Sequence, residues 1–416
     1  MNQSETAMQK FDVVIVGGGM VGASLSLLLN SYMQQGLSVA LLDAQSISSQ
    51  AISNLQMQQP SFDERTTAIS LGSKRILNDL GVWSYMEKAA TAIEHIQVSR
   101  QKQFGRVRLH ADDANVEALG YVVENKHIGV GLQSGLLQQK DLTIFAPVTV
   151  KKYQVADGGA HIELINESNQ CVVLVCDLLV LADGANSEGC KQLGITQTRY
   201  DYQQHALVCN ASLDRAHNQW AYERFTADGP MALLPISGNR YALVWCMSTE
   251  NAERRIGLSE QAFKAELQTN IGFDKGRILK VGQASAYPLA LVQASEQVRQ
   301  HVVVLGNAAH ALHPVAGQGF NLALRDAKAL AQIIGQQLSA AGNVNGLKQY
   351  LKNQKQDQTI TTHISHLFPE KFSEPGLHWS IARSLAMTLM DLSPTAKRLF
   401  ANQAMGLVGK VSAWRP

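Results

Sequence analysis

The sequence predicts an α/β protein: a Rossmann-like domain interrupted by an inserted antiparallel sheet and closed by a helical C-terminal region. Three observations predict it. FDVVIVGG is an apolar run ending on glycines and reads as a buried parallel strand, and MVGASLSLLLNSYMQQG with SVALLDA completes a strand–helix–strand unit. Between about residues 200 and 287 the pattern turns to short strands, ALVCNASL, WAYERFT, MALLPI and YALVWCMS, as in an antiparallel sheet. HVVVLGNAA then resumes the buried-strand pattern before a helical stretch over 319–337.

The remaining elements follow in order. The polar QSISSQAISNLQMQQPSFDE reads as a surface loop, and ERTTAISLGSKRILNDLGVW as a loop leading into an amphipathic helix that ends at Gly81. Residues 93–150 mix short alternating strands with a helix. HIELIN and CVVLVCDLLVLADG read as strands, the second ending at Gly184, and a helix is expected around 260–269. The tail is helical apart from an interruption at FPEKFSEPG. The expected division assigns 1–92, 120–199 and 288–340 to the Rossmann-like domain. Residues 93–119 and 200–287 form the inserted domain, and 341–416 the helical region.

Composition excludes several classes. A chain of 416 residues, 45% hydrophobic and 17% charged, is well cored and long enough for two domains or one with a large insert. A net charge of +2 with scattered basic residues gives nucleic acid no electrostatic footprint. The five cysteines form no CxxC pair and read as reduced thiols of a cytoplasmic protein. MNQSETAMQK is too polar for a signal peptide, and the uncharged run over 13–29 is broken by GGG and falls short of the roughly 20 apolar residues a spanning helix needs. Peripheral membrane contact stays open.

Two glycine-rich segments carry the chemistry. GGGMVG places Gly17, Gly19 and Gly22 in the GxGxxG spacing. The first glycine permits a tight turn, the second lets backbone approach a pyrophosphate, and the third lets helix pack on strand. Asp43 ends the next strand, where a ribose-binding acid belongs. Asp183 in LADGANS follows a strand too, and either approaches a ligand or simply sits in a strand-ending turn. The segment GNAAHALHPVAGQGFNLALRD then opens a second helix. Its strand ends at Gly306, Asn307 offers an amide to a sugar-like chain, Pro314 sets a bend, and Gly317 and Gly319 let backbone lie against a flat ring. A helix start there suits the electron-rich edge of a reduced flavin. Both segments together point to one long ligand, FAD.

With GxGxxG and Asp43, the DG pair at Asp183, the 306–326 segment, YERFTADGPMALLPIS, YALVWC and SAYPLAL, the chain resembles the class A flavoprotein aromatic hydroxylases. Among these it is most similar to the ubiquinone-biosynthesis hydroxylases, in their methoxyphenol hydroxylase branch. The resemblance covers nearly the whole chain and implies a p-hydroxybenzoate hydroxylase-like fold with an FAD-binding domain and a substrate domain. It implies hydroxylation of a lipophilic polyprenyl phenol with O2 through a flavin C4a-hydroperoxide, NAD(P)H binding transiently as reductant. It leaves open membership in a ubiquinone-biosynthesis enzyme complex, and contact with the inner face of the membrane.

By position the resemblance assigns the pyrophosphate to Gly17, Gly19 and Gly22, the adenosine ribose to Asp43 and the ribityl chain to Asn307, where the wider family has aspartate. Gly306 would belong to the cofactor site at the strand end, the backbone of Pro314, Gly317, Gln318, Gly319, Phe320 and Asn321 would cradle the isoalloxazine, and Asp183 would contribute indirectly. Arg65 would lie near the phosphates or form a surface salt bridge. His313 would assist substrate deprotonation or only shape its loop. Arg224 and Phe225 would line the substrate module or pack within it. The tail's Met387, Met390, Leu399, Phe400 and Met405 would form an apolar channel or ordinary helical core.

Overall fold

The computed structural model describes residues 8–373 and 377–407. Its fold is α/β, as the sequence predicts. The strand Met8–Val16 lies at the centre of a sheet, paired in parallel with Cys171–Leu181 on one side and Val39–Leu42 on the other. Val302–Val304 and Leu142–Phe145 extend it in parallel at the two sides. Parallel strands are buried on both faces, and Val13, Val14 and Ile15 are fully buried. One face packs on the helices Met20–Leu28, Asn125–Gln138 and Gln318–Gln336, the other on the meander Val148–Ala156 and Gly159–Asn166.

The second sheet has nine strands running through Ser285–Ala294, Gln197–Leu213, Arg240–Ser248, Pro230–Ile236, Trp220–Phe225 and His95–Arg100. Its neighbours are antiparallel except Trp220–Phe225 with His95–Arg100, which pair in parallel because they come from separate passes of the chain. The helix Glu260–Ile271 covers one face through Phe263, Leu267 and Ile271.

Three expected irregular segments are regular. The stretch read as a surface loop holds the short helix Ser49–Ser53, which the Ser48 side chain caps. TTAIS is the strand Thr66–Ser70, paired antiparallel with Gly120–Glu124, not the start of a loop. Its two threonines and short apolar content hid a pairing that only distant chain supplies. The helix Val344–Ser373 runs through most of FPEKFSEPG, since one proline removes one backbone donor without having to end a long helix; residues 374–376 lie outside the described residues. In the tail, Met387, Ala401 and Met405 are buried in a cluster with Val98, Leu109 and Phe225 of the second sheet, while Leu399 is exposed. Among the described residues no helix is long and apolar enough to cross a membrane.

Candidate active site

The first glycine segment sits where the central parallel strands end, the position at which such sheets bind ligands. Gly17 has φ +104°, and a Cβ there would lie 2.4 Å from the Ala182 carbonyl oxygen. A Cβ at Gly22 would lie 1.8 Å from the Gly17 oxygen. The protein's own backbone therefore requires both glycines. Gly19 differs: its Cβ would approach only Ser61, 3.0 Å from the hydroxyl. Asp43 accepts from the Gly18 and Gln45 N–H groups, the latter at 2.7 Å, and burial pushes its carboxyl above the usual range. Asp183 packs against Gly17. One of its oxygens accepts from Gly189 N–H at 3.3 Å; the other is buried without a partner, and burial raises this carboxyl as well.

The second segment approaches from Val302–Val304. Gly306 turns the chain with φ +64°, and Asn307 is exposed on the single turn Gly306–Ala308. The 314–321 stretch is bolted to the strand Thr66–Ser70 by Asn321. Its amide donates to the Ala68 and Gly317 oxygens, both at 2.8 Å, and its oxygen accepts from Ser70 N–H at 2.9 Å. The Asn321 side chain is thus fully used within the protein, so backbone is what this stretch offers a ligand. A Cβ at Gly319 would meet only open space.

His313 is buried and turned into the protein. Its Nδ1 accepts from Val315 N–H at 3.3 Å, its ring meets Tyr202 edge-on at 5.0 Å, and burial pushes its pKa down to about 4. It does not line the cavity described next. Arg65 pairs with Asp63 and lies over the Tyr287 ring at 4.9 Å; its polar contacts run to Asp63 and the Pro60 carbonyl, not to the glycine segment.

A cavity of about 330 Å³ lies between the 314–321 stretch, the strand Thr66–Ser70 and one face of the second sheet. Its walls are mostly apolar: Ile69, Val98, Leu234, Phe225, Val315 and Phe400 contribute. In their midst stands Glu223, the one acidic or basic side chain among the described lining residues. Sequence reasoning named its neighbours Arg224 and Phe225 and missed it. Strand alternation puts Ala221, Glu223 and Phe225 on the cavity face and Arg224 on the other, where its Nε is buried without a partner. The signal was present: a carboxylate on the apolar side of WAYERFT.

The family model for the FAD binding domain matches residues 10–361. The chain belongs to this FAD-binding family. It is 30% identical to a ubiquinone hydroxylase of Rhodospirillum rubrum over 95% of this chain and 89% of that one. It is 28% identical to the 3-demethoxyubiquinol 3-hydroxylase of Escherichia coli over 96% and 99% of the two chains. Its fold matches the crystal structure of p-nitrophenol 4-monooxygenase from Pseudomonas putida with a TM-score of 0.75 at 17% identity, over 97% of this chain and all of that one. The flavoprotein is an aromatic-ring monooxygenase with FAD as cofactor and NAD(P)H as reductant.

The residues fit FAD. Six helices open on serine caps, at Ser48, Ser70, Ser187, Ser248, Ser259 and Ser393. The two helices that follow the glycine segments open instead on Gly19 and Gly317 with no side-chain cap, leaving their first N–H groups for an anionic ligand. The orphaned Asp183 oxygen adds an acceptor to the first of these sites. Asn307→Asp is expected to retain FAD, since either side chain accepts a hydroxyl hydrogen bond. The added charge should lower the flavin potential by roughly 20 mV or less, because solvent at this exposed position screens it. Spectroelectrochemical titration of both proteins checks this, and a raised potential would contradict it.

Proposed function

We propose that the flavoprotein hydroxylates the ring of a polyprenylated phenol of the 2-polyprenyl-6-methoxyphenol kind in ubiquinone biosynthesis. The relatives named for ubiquinone hydroxylation support the pathway. The observation that carries the substrate class is the cavity: mostly apolar, sized for an aromatic ring, and walled by the stretch assigned to the flavin. Its wall also includes Thr361, Ile364 and Phe400 of the C-terminal helices, which gives an isoprenoid tail an apolar way out.

In this reading Gly17, Gly19 and Gly22 receive the pyrophosphate and Asp43 a ribose. Asp183 would support the cofactor site, Asn307 would face the ribityl chain, and backbone from Pro314 to Asn321 would hold the flavin ring. When bound, FAD reduced by NAD(P)H supplies the oxygen activation. The chain's own contribution is to hold the phenol ring against that stretch and to keep water out, which the apolar walls do.

The decisive experiment supplies the FAD-loaded protein with a short-chain 2-prenyl-6-methoxyphenol, NAD(P)H and air, and analyses the products by mass spectrometry. One added oxygen atom on the ring is expected. NAD(P)H consumption without product would favour a non-oxygenating reductase on the same fold. Stopped-flow traces should also show that the phenol quickens flavin reduction. Traces identical with and without phenol would count against the hydroxylase reading.

A further inference from the structure

Glu223 has an environment that packing alone does not explain. It sits in a cross-strand row on the cavity face, paired with Val98 on one side and Ala232 on the other, with Val244 next beyond. All four line the cavity. Glu223 is half-buried counting the surface it turns to that cavity, and its Oε1 is sealed without a hydrogen-bond partner. Burying a carboxylate without a cation or donors is costly, so a row of Val, Ala and Val gives every structural reason for a fourth apolar residue. An acid kept in that position is there to meet something that enters the cavity.

We propose that Glu223 binds the ring hydroxyl of the phenolic substrate and accepts its proton, serving as the base that activates the ring for hydroxylation. The inference rests on the proposed phenol substrate. In the step, the O–H bond of the ring hydroxyl breaks and a new O–H bond forms on the Glu223 carboxylate. The electron pair stays on the ring oxygen, the negative charge passes from carboxylate to phenolate, and nothing is oxidised. A phenolate donates more electron density into its ring than a phenol and so reacts faster with an electrophilic oxygen.

Burial pushes the Glu223 pKa up to about 8. An ordinary carboxylate near 4.3 is a poor base toward a phenol near 10, whereas one near 8 approaches the match that proton transfer requires. Few other charges face it. Cys246, two residues beyond Val244 on the Arg240–Ser248 strand, has its thiol pushed up by burial first and by Glu223 second. Arg100 lies one rung along the row, on the same face as Val98 and in register with Phe225. The opposite wall, residues 66–70 and 314–321, holds no Asp, Glu, His, Lys or Arg.

The test uses the full-length FAD-loaded protein with the short-chain 2-prenyl-6-methoxyphenol as probe. Between pH 6 and 10, difference spectra report whether the bound phenol is ionised, and product formation gives the rate profile. In the wild type, hydroxylation is expected to rise through a limb near 8, as Glu223 ionises, while the bound phenol, the weaker acid at about 10, stays mostly neutral through that limb. In Glu223→Gln, at unchanged FAD content, the rate limb near 8 should vanish and hydroxylation should fall on the order of 10²-fold or more. Glu223→Leu, which completes the apolar row, should behave alike. Variants that hydroxylate within twofold of the wild type, or that keep its limb, overturn the role of Glu223 while leaving the phenol substrate standing. A wild type that neither binds nor hydroxylates the probe overturns both.

Discussion

Gly19→Val is expected to give a folded protein that carries no flavin, whereas Gly22→Val is expected to disrupt the first domain itself. The contrast follows from what each new side chain would meet. At Gly22 the obstacle is backbone, the Gly17 oxygen 1.8 Å from the Cβ, and nothing there can rotate away. The strand Met8–Val16 and the helix Met20–Leu28 would have to separate. At Gly19 the only neighbour is the Ser61 side chain, 3.0 Å away at its hydroxyl, which can move. Valine there obstructs only what approaches the free N–H groups of the helix start, the pyrophosphate. Flavin absorbance after purification, together with a circular dichroism melt, separates the two outcomes. A Gly19→Val protein that stays yellow at full occupancy would remove the pyrophosphate from this loop.

The parallel core was legible because strands buried on both faces leave continuous apolar runs, and FDVVIVGG and HVVVLGNAA are such runs. Thr66–Ser70 was not, because its strand character depends on Gly120–Glu124, some fifty residues later, and on the bonds that Asn321 makes to Ala68 and Ser70. Within the site, the glycines announce themselves by spacing, while side-chain roles depend on direction. The hydrogen bonds of the Asn321 side chain are all internal, so what that residue offers a cofactor is backbone, and the sequence carries no mark of the side chain's task. His313 looked like a candidate base, and the fold turns it away from the cavity into contact with Tyr202. Glu223 went unnoticed because a glutamate in a strand is ordinarily solvated. The pairing of Trp220–Phe225 with His95–Arg100, a parallel contact across more than a hundred residues, sets it inside a sheet whose cavity face lies opposite the 314–321 stretch.

The other large effect is expected at Asp326, the last residue of the second glycine-rich segment. Its side chain is fully buried and gathers three donors: His310 Nε2 at 2.8 Å, Gln354 Nε2 at 2.9 Å and Gln358 Nε2 at 3.0 Å. One donor comes from the loop between Gly306 and Pro314, the other two from the helix Val344–Ser373, so a single carboxylate holds the loop and that helix to Gln318–Gln336. Asp326→Ala leaves His310 Nε2 and Gln354 Nε2 buried without their acceptor and Gln358 Nε2 with only Gln297 Oε1, and breaking such a buried network costs about 3–5 kcal/mol. The neighbouring pair Arg325–Asp357, Nε to Oδ2 at 2.6 Å, joins the same two helices and should keep them together. The damage should therefore concentrate in the loop that leads to Pro314. Urea denaturation is expected to show the loss in the flavin-free protein and a larger one in the loaded protein, since FAD binds the ordered loop. Asp326→Asn, which keeps one acceptor oxygen, should lose less. An Asp326→Ala midpoint indistinguishable from the wild type would mean that the loop holds its shape through Asn321 and the Ser365 hydroxyl, which donates to the His313 oxygen, without the carboxylate.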